Sequence, residues 1–369
     1  MMRRFPKMQL MLPIVFLGYL STTAAAAAPG DWERQWNNLI QAAKKDGKVV
    51  VAGSSDPVLR RDLPARFKAR TGISVEYIGG RSSDIAARIR AEREGGVYST
   101  DVIFSGIQAM ASIFHPGKML DPVRPVLILP EVLDGSKWKK GKLWFVDPED
   151  RYILRLVNYL NELFYINTQH VKQAEFKSIK DLLDPKWKTK ISAFDPTVPG
   201  SGSNTAAKLY AQFGEDFIKA LYVDQKPAFS RDGRQLADWL ARGVYPISFN
   251  APGNQVEQLQ QEGLPVKAIY HLPDAAGTTT AGSGMVGLMN KAPNPNAARV
   301  FINWIASKEG VEFLFQSMHW ATARSDIDES LLKADETLRP GIAYFDSYDW
   351  NFAVNVEEKV RLRVKELLK

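Results

Sequence analysis

"KVVVAGSSDPVLRRDLPARFKARTGISVEYIGGRSSDIAARIRAEREGGVYSTDVIFSG", residues 48–106, decides the fold. The apolar run Val49–Ala52, three of its four residues β-branched, predicts a strand that ends in the small polar loop Gly53-Ser54-Ser55-Asp56. A helix is expected over residues 63–70, stopped at Thr71-Gly72, and the alternation of Ile73, Val75 and Tyr77 predicts a second strand. "GGRSSD" then leads into a helix over residues 85–94, and "TDVIFSG" reads as a third strand with another Ser-Gly end. Strand, loop and helix in strict alternation imply a parallel sheet with helices on its faces. Ligands of such sheets sit beyond the carboxyl ends of the strands, so Ser54, Ser55, Arg81, Ser82 and Ser105 are expected on one rim.

Upstream, Trp32, Trp36, Leu39, Ile40 and Ala43 recur at helical spacing before Gly47. Before them, Arg3, Arg4 and Lys7 precede an apolar run at residues 8–20 and the alanine tract at 24–28. That layout predicts a secretory signal peptide over residues 1–28, whose apolar run is too short to span a bilayer. The chain has no cysteine, which excludes disulfides, a thiolate metal site, a cysteine nucleophile and a lipidated cysteine after the signal. A soluble, exported, non-lipidated periplasmic protein is the expectation. The formal charge of +7 falls to +4 once the three basic residues of the signal are discounted. This mild basicity suits an anionic ligand and is far from a nucleic-acid footprint. The roughly 340 residues beyond the signal exceed one typical core and point to two domains.

Downstream, "RYILRLVNYLNELFYINT" (residues 151–168) reads as a crossover into a second domain. There, "PGSGSNTAAKLY" (residues 199–210) is a glycine- and hydroxyl-rich loop that opens a helix. Such loops hold anions on backbone N–H groups. The Walker form would need Gly-Lys-Ser/Thr where Asn204-Thr205-Ala206 stands, and the dinucleotide fingerprint lacks its third glycine. Ser201, Ser203, Asn204 and Thr205 are therefore candidates for a non-nucleotide anion, with helix capping as the alternative. "GVYPISF" predicts a strand ending at Asn250, and "GLPVKAIYHLP" is expected to return the chain to the first domain. Thr279, Thr280 and Ser283 lie near that return, where a hinge needing small residues explains them equally well. "PNPNAARVFINWIASKEGVEFLF" predicts an amphipathic helix pair with Val300, Phe301, Trp304 and Ile305 on one face. The final "VEEKVRLRVKELLK" keeps helical spacing through Val356, Val360, Val364 and Leu367. His115, His170, His271 and His319 are scattered without metal-ligand spacing. Arg231 and Arg234 in "SRDGR" are weaker anion candidates, with a local ion pair to Asp232 as the alternative. No nucleophile–base pair can be assembled for a hydrolase, so no enzyme, metal or cofactor is expected.

The chain resembles the periplasmic solute-binding proteins of ABC importers, in the type II branch that contains ferric-ion binders. The resemblance rests on "DLLDPKWKTKISAFDP", "GSGSNT" and "KAPNPNAARVFINWIASKEGVEFL", together with the N-terminal pattern above. It implies a monomer of two α/β lobes joined by two crossovers, one solute in the cleft, and delivery to membrane permease subunits. Residues 29–142 and 281–320 would form the first lobe and 143–280 the second. The crossovers would lie near 143–159 and 272–284, and a C-terminal helical segment, 321–369, would pack on the lobes. The family's iron binders place a histidine where Ser54-Ser55-Asp56 stands, a glutamate at Gly106 and adjacent tyrosines at Phe249-Asn250-Ala251. Hard ferric iron needs anionic oxygen donors, which these substitutions remove. Iron through Tyr245 or Tyr270 is the second reading; a small carboxylate, phosphonate or phosphate solute is the first.

Overall fold

A computed structural model describes residues 30–198 and 200–369; the signal-peptide reading lies outside the described residues. The opening stretch forms β1 (Lys48–Gly53), β2 (Ser74–Gly79) and β3 (Val102–Ser105), all parallel, with β1 in the middle. The helices Pro57–Thr71 and Ser82–Glu94 join them. Asp56 caps the first of these, its carboxylate accepting the Val58 and Leu59 N–H groups. The sheet is not purely parallel. β13 (Met285–Met289), buried along its whole length, lies antiparallel between β3 and β4 (Leu120–Asp121), and β5 (Ile153–Arg155) pairs with it as well. Residues 143–155 thus still serve the first core, to which Leu143, Trp144, Phe145, Ile153 and Leu154 contribute.

The second sheet runs in the order β11 (Val266–Ile269), β7 (Phe164–Asn167), β10 (Ile247–Phe249), β8 (Ile191–Phe194), β9 (Ala228–Ser230). β8 is parallel to β9 and β10, whereas β7 is antiparallel to β10 and β11. "GLPVKAIYHLP" therefore does not leave the second sheet. Its Val266 and Ile269 are buried in apolar clusters on opposite faces of the sheet, and pairing with β7 holds it as an edge strand. The return comes later, at β12 (Thr279–Thr280), which pairs with β6 (Tyr159–Leu160) to make a two-stranded link between the sheets.

Each sheet has its own apolar core. The amphipathic pair forms as the helices Pro295–Ala306 and Lys308–Met318, and Phe67 meets Phe301 and Trp304 edge-on, at 5.2 Å each. Residues 321–351 are largely irregular, contrary to the expectation of a helical segment. They are fixed by polar ties instead. Arg155, fully buried, donates to both carboxylate oxygens of Asp346 at 2.9 Å, and the equally buried Arg324 pairs with Asp326 at 2.9 Å. Helix resumes at Phe352–Val356 and Glu357–Leu367; Ala353 packs in the first core while Phe352, Val360 and Val364 pack in the second. No helix among the described residues is long and apolar enough to cross a membrane.

Candidate functional site

The first-lobe rim forms, but its side chains are largely occupied. The Tyr77 hydroxyl donates to the Ser54 carbonyl at 2.9 Å, and Ser54 Oγ accepts the Asp56 N–H. Ser55 is exposed. Ser105 and Ser82 come together, Oγ to Oγ at 2.9 Å, across the ends of β3 and β2. Ser82 is the first helical residue; Arg81 holds the N-cap position without making a side-chain cap. The Arg81 side chain is 83% exposed and pairs with Asp84 at 2.9 Å. A three-residue spacing along the helix start makes that carboxylate its nearest partner. Arg231 likewise pairs with Asp195 at 2.8 Å, not with Asp232, which caps its own helix.

In the second lobe the GSGSNT loop opens the helix Ser201–Lys219. Gly200 takes φ 141°, open to glycine, and a Cβ on Gly202 would stand 2.3 Å from the Asp195 carbonyl oxygen. The two glycines thus let the loop fold tightly onto the end of β8. Ser203 is buried and closes the loop, accepting the Gly200 N–H at 3.1 Å and donating to the Gly200 carbonyl at 3.0 Å. Ser201 is exposed. Asn204 donates to the Glu357 carboxylate at 2.9 Å, and Gln108, just beyond β3, donates to the same carboxylate. The C-terminal helix therefore ties the rim of one lobe to the loop of the other.

The chemistry concentrates one turn further along. Thr205, Lys208 and Gln212 share a face of the helix and line a pocket with Glu162, Asn250, Gly277 and Thr278. Thr205 is 7% exposed, Lys208 6% and Thr278 5%. The Thr205 and Thr278 hydroxyls are buried without a hydrogen-bond partner among the described residues. Lys208 has no carboxylate within 4.0 Å among the described residues, and burial pushes its ammonium below the ordinary lysine range against the more distant attraction of Glu162 and Glu357. Asn250 follows β10 at φ 60°, a left-handed conformation that asparagine tolerates better than most residues. Burial pushes the Glu162 carboxyl up, although its own N–H, the charge of Lys208 and the Tyr165 hydroxyl all oppose this. Tyr165, Tyr159 and Tyr270 lie close enough to feel its charge, and all three phenols are raised, first by burial.

Of the sequence candidates, Thr205 and Asn250 meet in this pocket. Ser54, Ser55, Ser82 and Ser105 do not line it, and Thr280 lies on β12, its Oγ1 accepting the Gly282 N–H at 3.1 Å. Tyr245 packs edge-on against Trp239, away from the pocket. Glu162, Lys208, Gln212 and Thr278 were not candidates from sequence. The signal was present for two of them, since Lys208 and Gln212 fall three and seven residues after Thr205, on its face of the helix. Among the described residues no three His, Cys, Asp or Glu side chains cluster as metal ligands.

Residues 63–340 match the model of the bacterial extracellular solute-binding protein family, and the chain belongs to that family. Iron uptake protein A1 of Synechocystis is 25% identical over 267 residues, 69% of this chain and 70% of that protein. The apo ferric ion-binding protein A of Pasteurella haemolytica superposes with a TM-score of 0.67 at 17% identity, covering 87% of this chain and 98% of that one. The periplasmic binding protein AfuA of Actinobacillus pleuropneumoniae, solved with fructose-6-phosphate, gives 0.61 at 19% identity, covering 86% and 97%. At these identities the structural likeness shows the fold, which is that of a two-lobed periplasmic binding protein.

Proposed function

We propose that this solute-binding protein captures a small anionic organic solute, of carboxylate, phosphonate or phosphate type, and delivers it from the periplasm to the permease subunits of an ABC importer. The carrying observation is Lys208: a buried cation with no carboxylate within 4.0 Å among the described residues, in a pocket that also holds the unpartnered hydroxyls of Thr205 and Thr278. Buried charges are ordinarily paired, and buried hydroxyls ordinarily bonded. An anion on Lys208 supplies both, with the Asn250 amide as a further donor. Ser201, Ser203 and Asn204 belong to the same site through the start of their helix, whose dipole favours an anion. Ser54, Ser55, Arg81, Ser82 and Ser105 would meet the solute from the opposite rim when the lobes close, beside Thr280 in the hinge. Arg81 would exchange Asp84 for the solute cheaply, since an exposed pair contributes about 0–1 kcal/mol.

Ferric iron is the second reading, favoured by the oxygen donors Glu162, Tyr165 and Tyr270 and by the likeness to an iron uptake protein of Synechocystis. Lys208 opposes it, because a buried ammonium repels a trivalent cation. Mass spectrometry of solute released from the purified protein by denaturation, then calorimetry with that solute, separates the two. The expected solute is an organic anion, and Lys208→Met should weaken it roughly tenfold to a hundredfold through loss of a charge-assisted bond. A stoichiometric ferric complex with a visible tyrosinate-to-iron band would select iron instead.

A further inference from the structure

Glu162 is the pocket residue that capture of an anion leaves unused. It stands between β6 and β7 and lines the same pocket as Lys208. A purely anionic solute would neutralise Lys208 and place a second negative charge near Glu162, in surroundings where like charges repel strongly. A purely cationic solute would answer Glu162 and leave Lys208 unpaired. Burial drives the carboxyl up and the ammonium down, and the attraction between the two, exerted from beyond 4.0 Å, only partly opposes this. A ligand bearing both charges would answer each at hydrogen-bond distance.

We infer that the solute is a zwitterion, a small acid that also carries an ammonium group, with its anionic end on Lys208 and its ammonium on Glu162. The inference rests on the anion reading of the pocket. It excludes simple carboxylates and phosphates, and hydroxylated acids in which a hydroxyl replaces the ammonium.

The test uses two pairs of probes, each pair differing only in amine against hydroxyl: β-alanine with 3-hydroxypropanoate, and O-phosphoethanolamine with 2-hydroxyethyl phosphate. Calorimetry on the full chain without its signal should find the amine of at least one pair bound about tenfold more tightly, or better, than its hydroxyl partner. In Glu162→Gln the amine and hydroxyl members should bind alike, the hydroxyl member more tightly than in wild type because the like charge is gone. Circular dichroism of that variant confirms its fold, and Glu162→Asp, which keeps the charge, should retain part of the preference. Equal binding of amine and hydroxyl by the wild type overturns the inference and leaves the anion reading intact. So does a preference that survives Glu162→Gln. Failure of all four acids to bind overturns both readings.

Discussion

Burial of the Glu162 carboxylate costs the unliganded fold stability in a pH-dependent way. Burial raises its carboxyl in the folded chain. Unfolded, the group returns to the ordinary glutamate value, about 4.3. Between the two values the folded chain holds a proton that the unfolded chain has released, so stability falls as pH rises through that window. Above the window the whole penalty stands. Unliganded Glu162→Gln should therefore be more stable than wild type by about 0.5–2 kcal/mol at around pH 8, with the gain vanishing near pH 4. Urea denaturation at the two pH values measures it; no gain at the higher pH would mean that the carboxylate is solvated in the native state. The same residue shows where sequence reading stops. Thr205 and Asn250 were legible because a hydroxyl in a glycine-rich helix start and an asparagine after a strand advertise themselves locally. Glu162 in "LNELF" looks like any acid between two apolar runs, and only the packing of β6, β7 and the Ser201–Lys219 helix makes it face Lys208.

Among the elements, those with a clear period were readable and those held by long-range ties were not. Val360 and Val364 keep the four-residue spacing of the last helix and are buried against the second core. Val300, Phe301, Trp304 and Ile305 are likewise buried. β13 was not legible as a strand, because "MVGLM" is a short apolar run with no alternation, buried on both faces. Its antiparallel insertion turns the expected parallel sheet into a mixed one. Residues 321–351 carry no periodic signal either, and their conformation depends on the buried guanidinium groups of Arg155 and Arg324. Phe352 tests the element that follows. It is 4% exposed, meets Phe345 edge-on at 4.9 Å, and sits beside Ala353, which belongs to the other core. Phe352→Ala should cost about 3–5 kcal/mol by leaving a cavity. A loss below about 1 kcal/mol in denaturant unfolding would mean that the C-terminal segment is only loosely applied to the second core.

Over the whole molecule, what joins the lobes decides how they move. The β6–β12 ladder has only two residue pairs, Leu160 with Thr279 and Tyr159 with Thr280. It is flanked by Gly277, where a Cβ would stand 1.8 Å from the Asn161 carbonyl oxygen, and by Gly282 at φ 52°, beside the Tyr159 hydroxyl. So short a link between two separate cores is where a hinge can absorb a change in backbone angles. A third passage lies beside it, where Asp346 bridges to Thr279 on the way to Phe352 in the second core, and the Glu357 carboxylate adds a tie between Gln108 and Asn204. His319, capping a first-lobe helix, reaches Glu257 of the second lobe at 3.9 Å, both partners about half exposed. These few polar contacts can be made and broken without disturbing either core. The lobes are therefore expected to rotate as rigid bodies about residues 157–160 and 277–284, and solute bound between Lys208 and the opposite rim favours the closed arrangement by whatever it gains from the second wall. Small-angle scattering should show a smaller radius of gyration with the released solute at saturation than without it. Replacing Lys208 by Met should abolish the change at the same solute concentration. A radius that stays constant in the wild type while calorimetry reports full occupancy would confine binding to the second lobe and remove the first-lobe serines from the site.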